Sequence, residues 1–321
     1  MVNVLNLIGR RLVQLPIMIL GITFLVFFIM SFSSVDPAIT ALGEGASLEA
    51  REQYRELHGL DQPLLTRYVS FLGGLLHFDL GTYSARQLPV MDEVARAFPI
   101  TLQLTFLGLI LAVSFSLLLG VIAAIHRDRW PDQFIRIFSI AFLSTPSFWL
   151  AVLLIQLLGQ KVGIFSLFPT AGRLPAITDD FSAWFLRMLL PSVALAVPVI
   201  GQLSRVVRTS VVEELDRDYV RTALGAGIPR HVVVGRNVLR NALITPITVL
   251  GLRIGYLMGG AVVIEIIFNI NGMGMLIMNG VTNNEPNLVQ GVTLTVAIAF
   301  VVINVVVDLL YVLVNPRIRD I

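Results

Sequence analysis

The chain has 321 residues, of which 56% are hydrophobic and only 14% charged, and its mean hydropathy is +0.83. A soluble domain carries about 25% charged residues, so this composition specifies a polytopic, all-α membrane protein. The net charge of +2 points to no nucleic-acid partner, and the absence of Cys excludes disulfides and thiolate chemistry. Its only lysine, Lys161, sits in Gln-Lys-Val, whereas a phosphate-binding Walker A loop ends in Gly-Lys-Ser/Thr. The chain therefore holds no P-loop nucleotide site of its own.

A basic start, Asn3 to Arg11, precedes an apolar run from Leu12 to Phe32. That run is long enough to cross a bilayer, and longer than the apolar core of about 7–15 residues in a signal peptide. Arg10 and Arg11 place the N-terminus in the cytoplasm by the positive-inside rule. Ser33 to Pro99 is the one soluble-looking region, with nine acids and five Arg. Ala46 to His58 has helical composition and Gly59 is a stop signal; the extracytoplasmic region reads as a small cap packed on the bundle or, through the aromatic and Leu positions at helical spacing in LDQPLLTRYVSFLGGLLHFDLGTY, as a segment lying on the membrane surface.

Further spans are expected at Ile100–Ile125, Ile137–Leu158 with Pro146 inside it, and Met188–Gln202 with Pro191 and Pro198. Two more are expected at Leu243–Ile267 and Leu288–Val314. Gly159–Arg187 and Phe268–Asn287 read as outer loops. The short basic loop His126–Arg136 and the tail Asn315–Ile321 read as inner. Six spans with both ends inside satisfy the charge bias. The organisation expected is 1–32 (tail and first span), 33–99 (insertion) and 100–321 (core), the last including a cytoplasmic polar region at 205–242.

Little in this chain suggests catalysis. Its four His are scattered, with no His-Glu-x-x-His motif, so no metal site is expected. No Gly-x-Ser-x-Gly elbow occurs. Within the fifth span, Gly251, Gly255 and Gly259 fall four apart and form a stripe suited to close helix packing. Arg253 lies well inside that span. An ionisable group at such depth faces the bundle or a wet cavity, so it either lines a path or pairs with Asp308 of the sixth span. Glu265, near the outer end, either meets a cationic group or caps the following loop.

The segment Arg205–Arg240 is different in kind. It contains seven Arg and four acids between two apolar runs. Each Arg or Asp at a bilayer centre costs about 2.5–3.5 kcal/mol on insertion scales, so the segment is a polar excursion and not a span. Acids at Glu213, Glu214, Asp216 and Asp218 precede a helical stretch. Gly225-Ala226-Gly227 breaks it, and Pro229 suits the first turn of a second helix with Val232, Val233, Val238 and Leu239 on its apolar side. The spans on either side hold this pair of short helices at the membrane surface, a shape for docking.

The run Tyr219-Val-Arg-Thr-Ala-Leu-Gly-Ala-Gly227, continuing to Pro246, resembles the EAA loop of ABC importer permeases. Arg221, Thr222 and Ala223 stand at the Glu-Ala-Ala positions, and Pro246 falls one residue later than usual. HGLDQPLLTRYVSFLGGLLHFDLGTY, TVLGLRIGYLMGGAVVIEIIFNINGMGMLI, VQGVTL and NVVVDLLYVLVNPRIR resemble the B-type subunit of the dipeptide/oligopeptide branch. The resemblance covers almost the whole chain. Arg253 stands where that family often has Gln.

The resemblance implies a type I ABC importer permease in a bacterial or archaeal inner membrane. Its partners would be a second, similar permease, two cytoplasmic ATPases that bind ATP and Mg, and an external substrate-binding protein. This chain would bind no cofactor. Asp218, Tyr219, Arg221, Thr222, Ala223, Leu224, Gly225, Ala226, Gly227, Ile228 and Pro229 would form the coupling site. Peptides are the leading cargo, with nickel, glutathione or oligosaccharides as alternatives. The rival classes are an ion-coupled secondary transporter, which needs midplane carboxylates, and a non-transporting scaffold or enzyme.

Overall fold

The structure is a computed structural model that describes residues 2–32, 36–43, 45–57, 59–84 and 86–314; for 2–8, 10–12, 40, 252 and 307–314 only the backbone is described. The expected inner tail, with Arg317, and the side chains of Arg10, Arg11 and Asp308 lie outside the described residues.

In chain order the helices begin with α1 (Val2–Ser31), α2 (Pro37–Leu42), α3 (Leu48–Leu57) and α4 (Leu64–Leu76). A two-stranded antiparallel hairpin follows, β1 (Thr82–Tyr83) with β2 (Leu88–Pro89). Next come α5 (Val90–Ile125), α6 (Trp130–Ser144), α7 (Ser147–Leu158), α8 (Phe181–Leu215) and α9 (Asp218–Gly225). The short α10 (Arg230–Val232) runs through a π-helical turn (Val233–Val238) into α11 (Leu239–Ala242). The chain continues with α12 (Ile244–Phe268), α13 (Met273–Thr282) and α14 (Pro286–Val314).

Among the described residues, four helices are long and apolar enough to cross a membrane: α1, α5, α8 and α14. Two bent pairs bring the number to six if each is one span. One pair is α6 with α7, bent by 103°, and the other is the two halves of α12, bent by 40° between Gly251 and Arg253.

Several expected boundaries move. The third span is not a continuous Ile137–Leu158 helix, because it breaks at Thr145-Pro146 and its first arm starts at Trp130. Proline pushes the residue before it out of the helical region, and Thr145 takes ψ 116°. The second span starts at Val90 and not Ile100, carrying Pro99 within it. The fourth starts at Phe181, where the Asp180 carboxylate accepts the Ala183 N–H at 2.9 Å, so the loop before it is shorter than expected. The expected loop Phe268–Asn287 contains α13.

The chain divides into two compact units. One comprises residues 1–8, 103–269 and 303–321. Its centre is α8, which packs against α6, α7 and α12. Glycines set the approach distances. A Cβ at Gly201 would come within 2.5 Å of the Ser139 carbonyl oxygen of α6, and one at Gly120 within 2.6 Å of Val207. At the α6–α8 crossing the hydroxyls of Ser139 and Ser204 lie 3.0 Å apart.

The other unit comprises residues 9–102 and 270–302. Leu80, Val90, Val94, Ala97, Met273, Leu288 and Val292 form its core. Thr101 Oγ1 accepts the Met273 N–H at 2.9 Å, and Asn287 donates to the Thr82 carbonyl at 2.9 Å. Phe27 of α1 packs on Phe71 and Tyr68 of α4. Asp36 caps α2 and pairs with Arg55, beside a cavity of ≈ 330 Å³ that Asp61 and Arg67 also line.

Candidate functional site

The polar excursion begins without a break. Helix α8 runs unbroken through the bilayer-length apolar stretch to Leu215, about 50 Å of helix at 1.5 Å per residue. The chain turns at Asp216 and Arg217 and enters α9. Three ties anchor α9. Val220 is buried with Val207, Val211, Val233 and Val238. The Tyr219 hydroxyl donates to Glu214 Oε2 at 2.8 Å, and Asn241 Nδ2 donates to the same hydroxyl at 3.4 Å. Burial pushes the Tyr219 phenol above its ordinary value, so it holds the proton that it donates.

Helix α9 ends in a Schellman turn. The N–H groups of Gly227 and Ile228 donate to the carbonyls of Leu224 at 3.0 Å and Ala223 at 3.2 Å. The motif needs a left-handed residue, and Gly227 supplies φ +82°. The break expected at Gly225-Ala226-Gly227 is real, although Gly225 is still the last residue of α9. Pro229 caps the next helix and is not in its first turn.

The second helix carries a feature invisible in its composition, the π-helical turn. The Leu239 N–H reaches back to the Val234 carbonyl, five residues away. The extra residue rotates the helix enough to bury Val233, Val234 and Val238. Val232, expected on the apolar side, is exposed instead.

Every residue from Leu224 to Arg230 is exposed. Leu224 and Ile228 are 42% and 39% accessible, and Arg221 and Arg230 flank the patch. A Cβ on Gly225 or Gly227 would meet nothing within 4 Å in this chain. Glycine inside a helix costs about 0.5–1 kcal/mol relative to alanine, and no neighbour in the chain calls for it at 225. The arrangement is a small, smooth, mostly uncharged tip on a rigid base.

Two polar contacts absent from the sequence reading hold the base. Arg208 of α8 makes a two-pronged ion pair with the fully buried Asp132 in the first turn of α6. Arg127, before α6, pairs with Asp216 at 2.9 Å. Near the other end of α8, buried Arg187 donates to the Phe268 carbonyl at 2.8 Å, satisfying one of the free carbonyls at the end of α12. An acid within the basic run HRDRWPDQFIR was the one available signal for Asp132.

The remaining sequence candidates all lie on α12. Gly251 is buried, but Gly259 is exposed with open space around it. The close approach falls at Gly260, where a Cβ would meet Leu195 at 2.9 Å. Arg253 is half-buried, with its guanidinium carbon 5.9 Å from the Tyr256 ring centre. Glu265 is fully buried on the packed side of the helix.

Residues 116–320 match the family model described as binding-protein-dependent transport system inner membrane component, and residues 4–105 match the model for the N-terminal part of such components. The chain belongs to this family. The permease is 37% identical over 314 residues to a protein of Brucella abortus (strain 2308) that carries the provisional name peptide transport system permease protein. That match covers 98% of each chain. It is 35% identical over 315 residues to the glutathione transport system permease protein GsiC of Escherichia coli (strain K12), covering 98% of this chain and 99% of that one. The permease is thus an inner-membrane component of a binding-protein-dependent ABC importer, and the polar helix pair between α8 and α12 lies within the matched region.

Proposed function

We propose that this permease forms half of the path of an ATP-driven peptide importer, and that Asp218–Pro229 is the surface on which cytoplasmic ATPases act. A second, similar permease completes the path, two ATPases bind ATP and Mg, and an external binding protein delivers cargo. Both termini and the α9–α11 region are then cytoplasmic, and residues 36–89 face outward. This chain contributes no catalytic residue.

The observation that carries the reading is the tip at Leu224–Pro229. Gly225 and Gly227 leave room on an exposed, weakly charged surface, while Val220 and Tyr219 fix that surface to the end of α8. A partner seated there pushes on a firm anchor, and α8 carries the displacement into the membrane. The Asp132–Arg208 pair passes it to α6.

The test is Gly227→Asp in the assembled importer. Insertion and assembly are expected to persist, while uptake and the ATPase activity stimulated by loaded binding protein are lost. Gly227→Ala carries the same left-handed strain with a smaller side chain, and should keep more activity. Normal uptake by the Asp variant would contradict the docking role. The name of the Escherichia coli relative favours a second reading of the cargo, glutathione. Competition of labelled tripeptide uptake by glutathione separates the two.

A further inference from the structure

Most outward-facing residues on the other span helices are large and apolar: Phe134, Ile137, Phe138 and Leu143 on α6, or Phe106, Ile110 and Phe115 on α5. Helix α12 departs from this. Among its residues with described side chains, the exposed ones are Thr245, Thr248, Tyr256, Gly259 and Val263, which recur at helical spacing along one stripe. The opposite side buries Ile254, Leu257, Met258, Ala261 and Ile264. Arg253 borders the stripe, and its guanidinium lies over the ring of Tyr256, one turn further on. Thr248 Oγ1 donates to the Ile244 carbonyl at 3.1 Å, which leaves its lone pairs outward as acceptors.

A stripe of this kind does not suit lipid. A guanidinium within a span is costly unless it meets water or a polar partner. That need is met if the stripe faces a water-filled passage.

We propose that this face of α12 lines the passage, and that Arg253, oriented by Tyr256, binds the carboxylate of the passing cargo. The planar guanidinium matches a carboxylate with two parallel hydrogen bonds. The importer then favours peptides with a free C-terminal carboxylate over the same peptides amidated. This rests on the peptide-import reading above.

The experiment uses the complete importer, with its binding protein and ATPases, in proteoliposomes. Uptake of trialanine and of trialanine amide is measured for the native permease and for Arg253→Gln, Arg253→Lys and Tyr256→Leu. Dividing each variant's acid-to-amide ratio by the native one cancels the preference of the binding protein. The ratio is expected to fall about tenfold in Arg253→Gln, the loss of one charge-assisted pair. Arg253→Lys should restore part of it, and Tyr256→Leu should lower it less. An unchanged ratio in Arg253→Gln, with trialanine uptake intact in the native importer, overturns the proposal and leaves peptide import standing. No uptake of either peptide by the native importer sinks peptide import and this inference together.

A second measurement does not depend on the Arg253 variants. The chain contains no Cys, so Thr248→Cys introduces its single thiol. A water-soluble methanethiosulfonate should label it, and saturating trialanine with loaded binding protein should slow the labelling. A thiol at 248 that the reagent never reaches overturns the proposal.

Discussion

Two nitrogens of Arg208 donate to the two carboxylate oxygens of Asp132, each at 2.6 Å. Asp132 also accepts the Asp128 N–H at 2.9 Å, so the turn before α6 and the shaft of α8 close on one fully buried carboxylate. Breaking such a pair from one side costs about 3–5 kcal/mol, because the surviving charge stays buried. Arg208→Gln strands Asp132 and should approach that range. Asp132→Asn should cost less, since Arg208 is 19% accessible and reaches water. Thermal unfolding of the two single variants and the double variant, as a cycle, gives the coupling directly. Additive losses would contradict it.

Glycines at 201 and 225 look alike in the sequence and should behave in opposite ways. At Gly201 a Cβ would meet the Ser139 carbonyl oxygen at 2.5 Å and the Leu143 nitrogen at 2.7 Å. Both are backbone atoms that cannot swing aside, so Gly201→Ala should destabilise by about 1–3 kcal/mol or more. At Gly225 the space is open, and Gly225→Ala should raise the stability of the isolated permease by up to about 1 kcal/mol. If the ATPase approaches closely there, the same variant lowers uptake. Melting temperature and transport, measured on both variants, should therefore rank them differently.

Arg187 ties the end of α12 to α8 through the Phe268 carbonyl. Hydrogen bonds from charged donors contribute about 1.5–3 kcal/mol each. Arg187→Met keeps the length and loses the donors, so unfolding in detergent should shift by about that amount. Arg187→Lys should recover part of the loss. An unshifted transition in the Met variant would show that α12 ends securely without the contact.

The side chain of Arg55 hydrogen-bonds Asp36, and this holds the Asp36 carboxyl below its ordinary range. For a carboxylate depressed on folding, the stabilisation is present above the unfolded value of 3.8 and is lost as pH falls through the folded one. Protection of residues 36–57 from an acid-active protease should therefore decline below about pH 4. In Asp36→Asn, protection should be lower already at the upper end of the protease's working range and change little as the pH falls further. Identical acid profiles for the two proteins would rule the pair out as the cause.

What was legible in the sequence is what local chemistry decides. The charge density of Arg205–Arg240 excluded it from the bilayer, and the Gly-Ala-Gly run marked the turn after α9. The break at Thr145 was misread because proline is tolerated within some spans: α8 keeps both Pro191 and Pro198 in one helix. Thr145 Oγ1 donates to the Ala141 carbonyl at 2.8 Å, taking up a carbonyl that the break leaves free. Helix α13 was hidden by Gly274, Gly280 and Asn279, and its first N–H is satisfied by Thr101, 172 residues away in sequence. Asp132 and Arg208 are 76 positions apart, so no pattern of spacing joins them. The glycine stripe on α12 showed the same weakness: periodicity located it but could not say which side faced a neighbour.

The π-helical turn at Val233–Val238 constrains how the loop can change length. Deleting one residue there would restore ordinary helical winding and swing everything beyond it by about 100°. Asn241 would leave Tyr219, and the valines would no longer share one face. Single-residue deletions in this segment should therefore be purged from functional variants, while point substitutions at exposed Gly235 and Arg236 are accepted. A deletion scan set beside a substitution scan would show the segment as intolerant of losing length and permissive of new side chains.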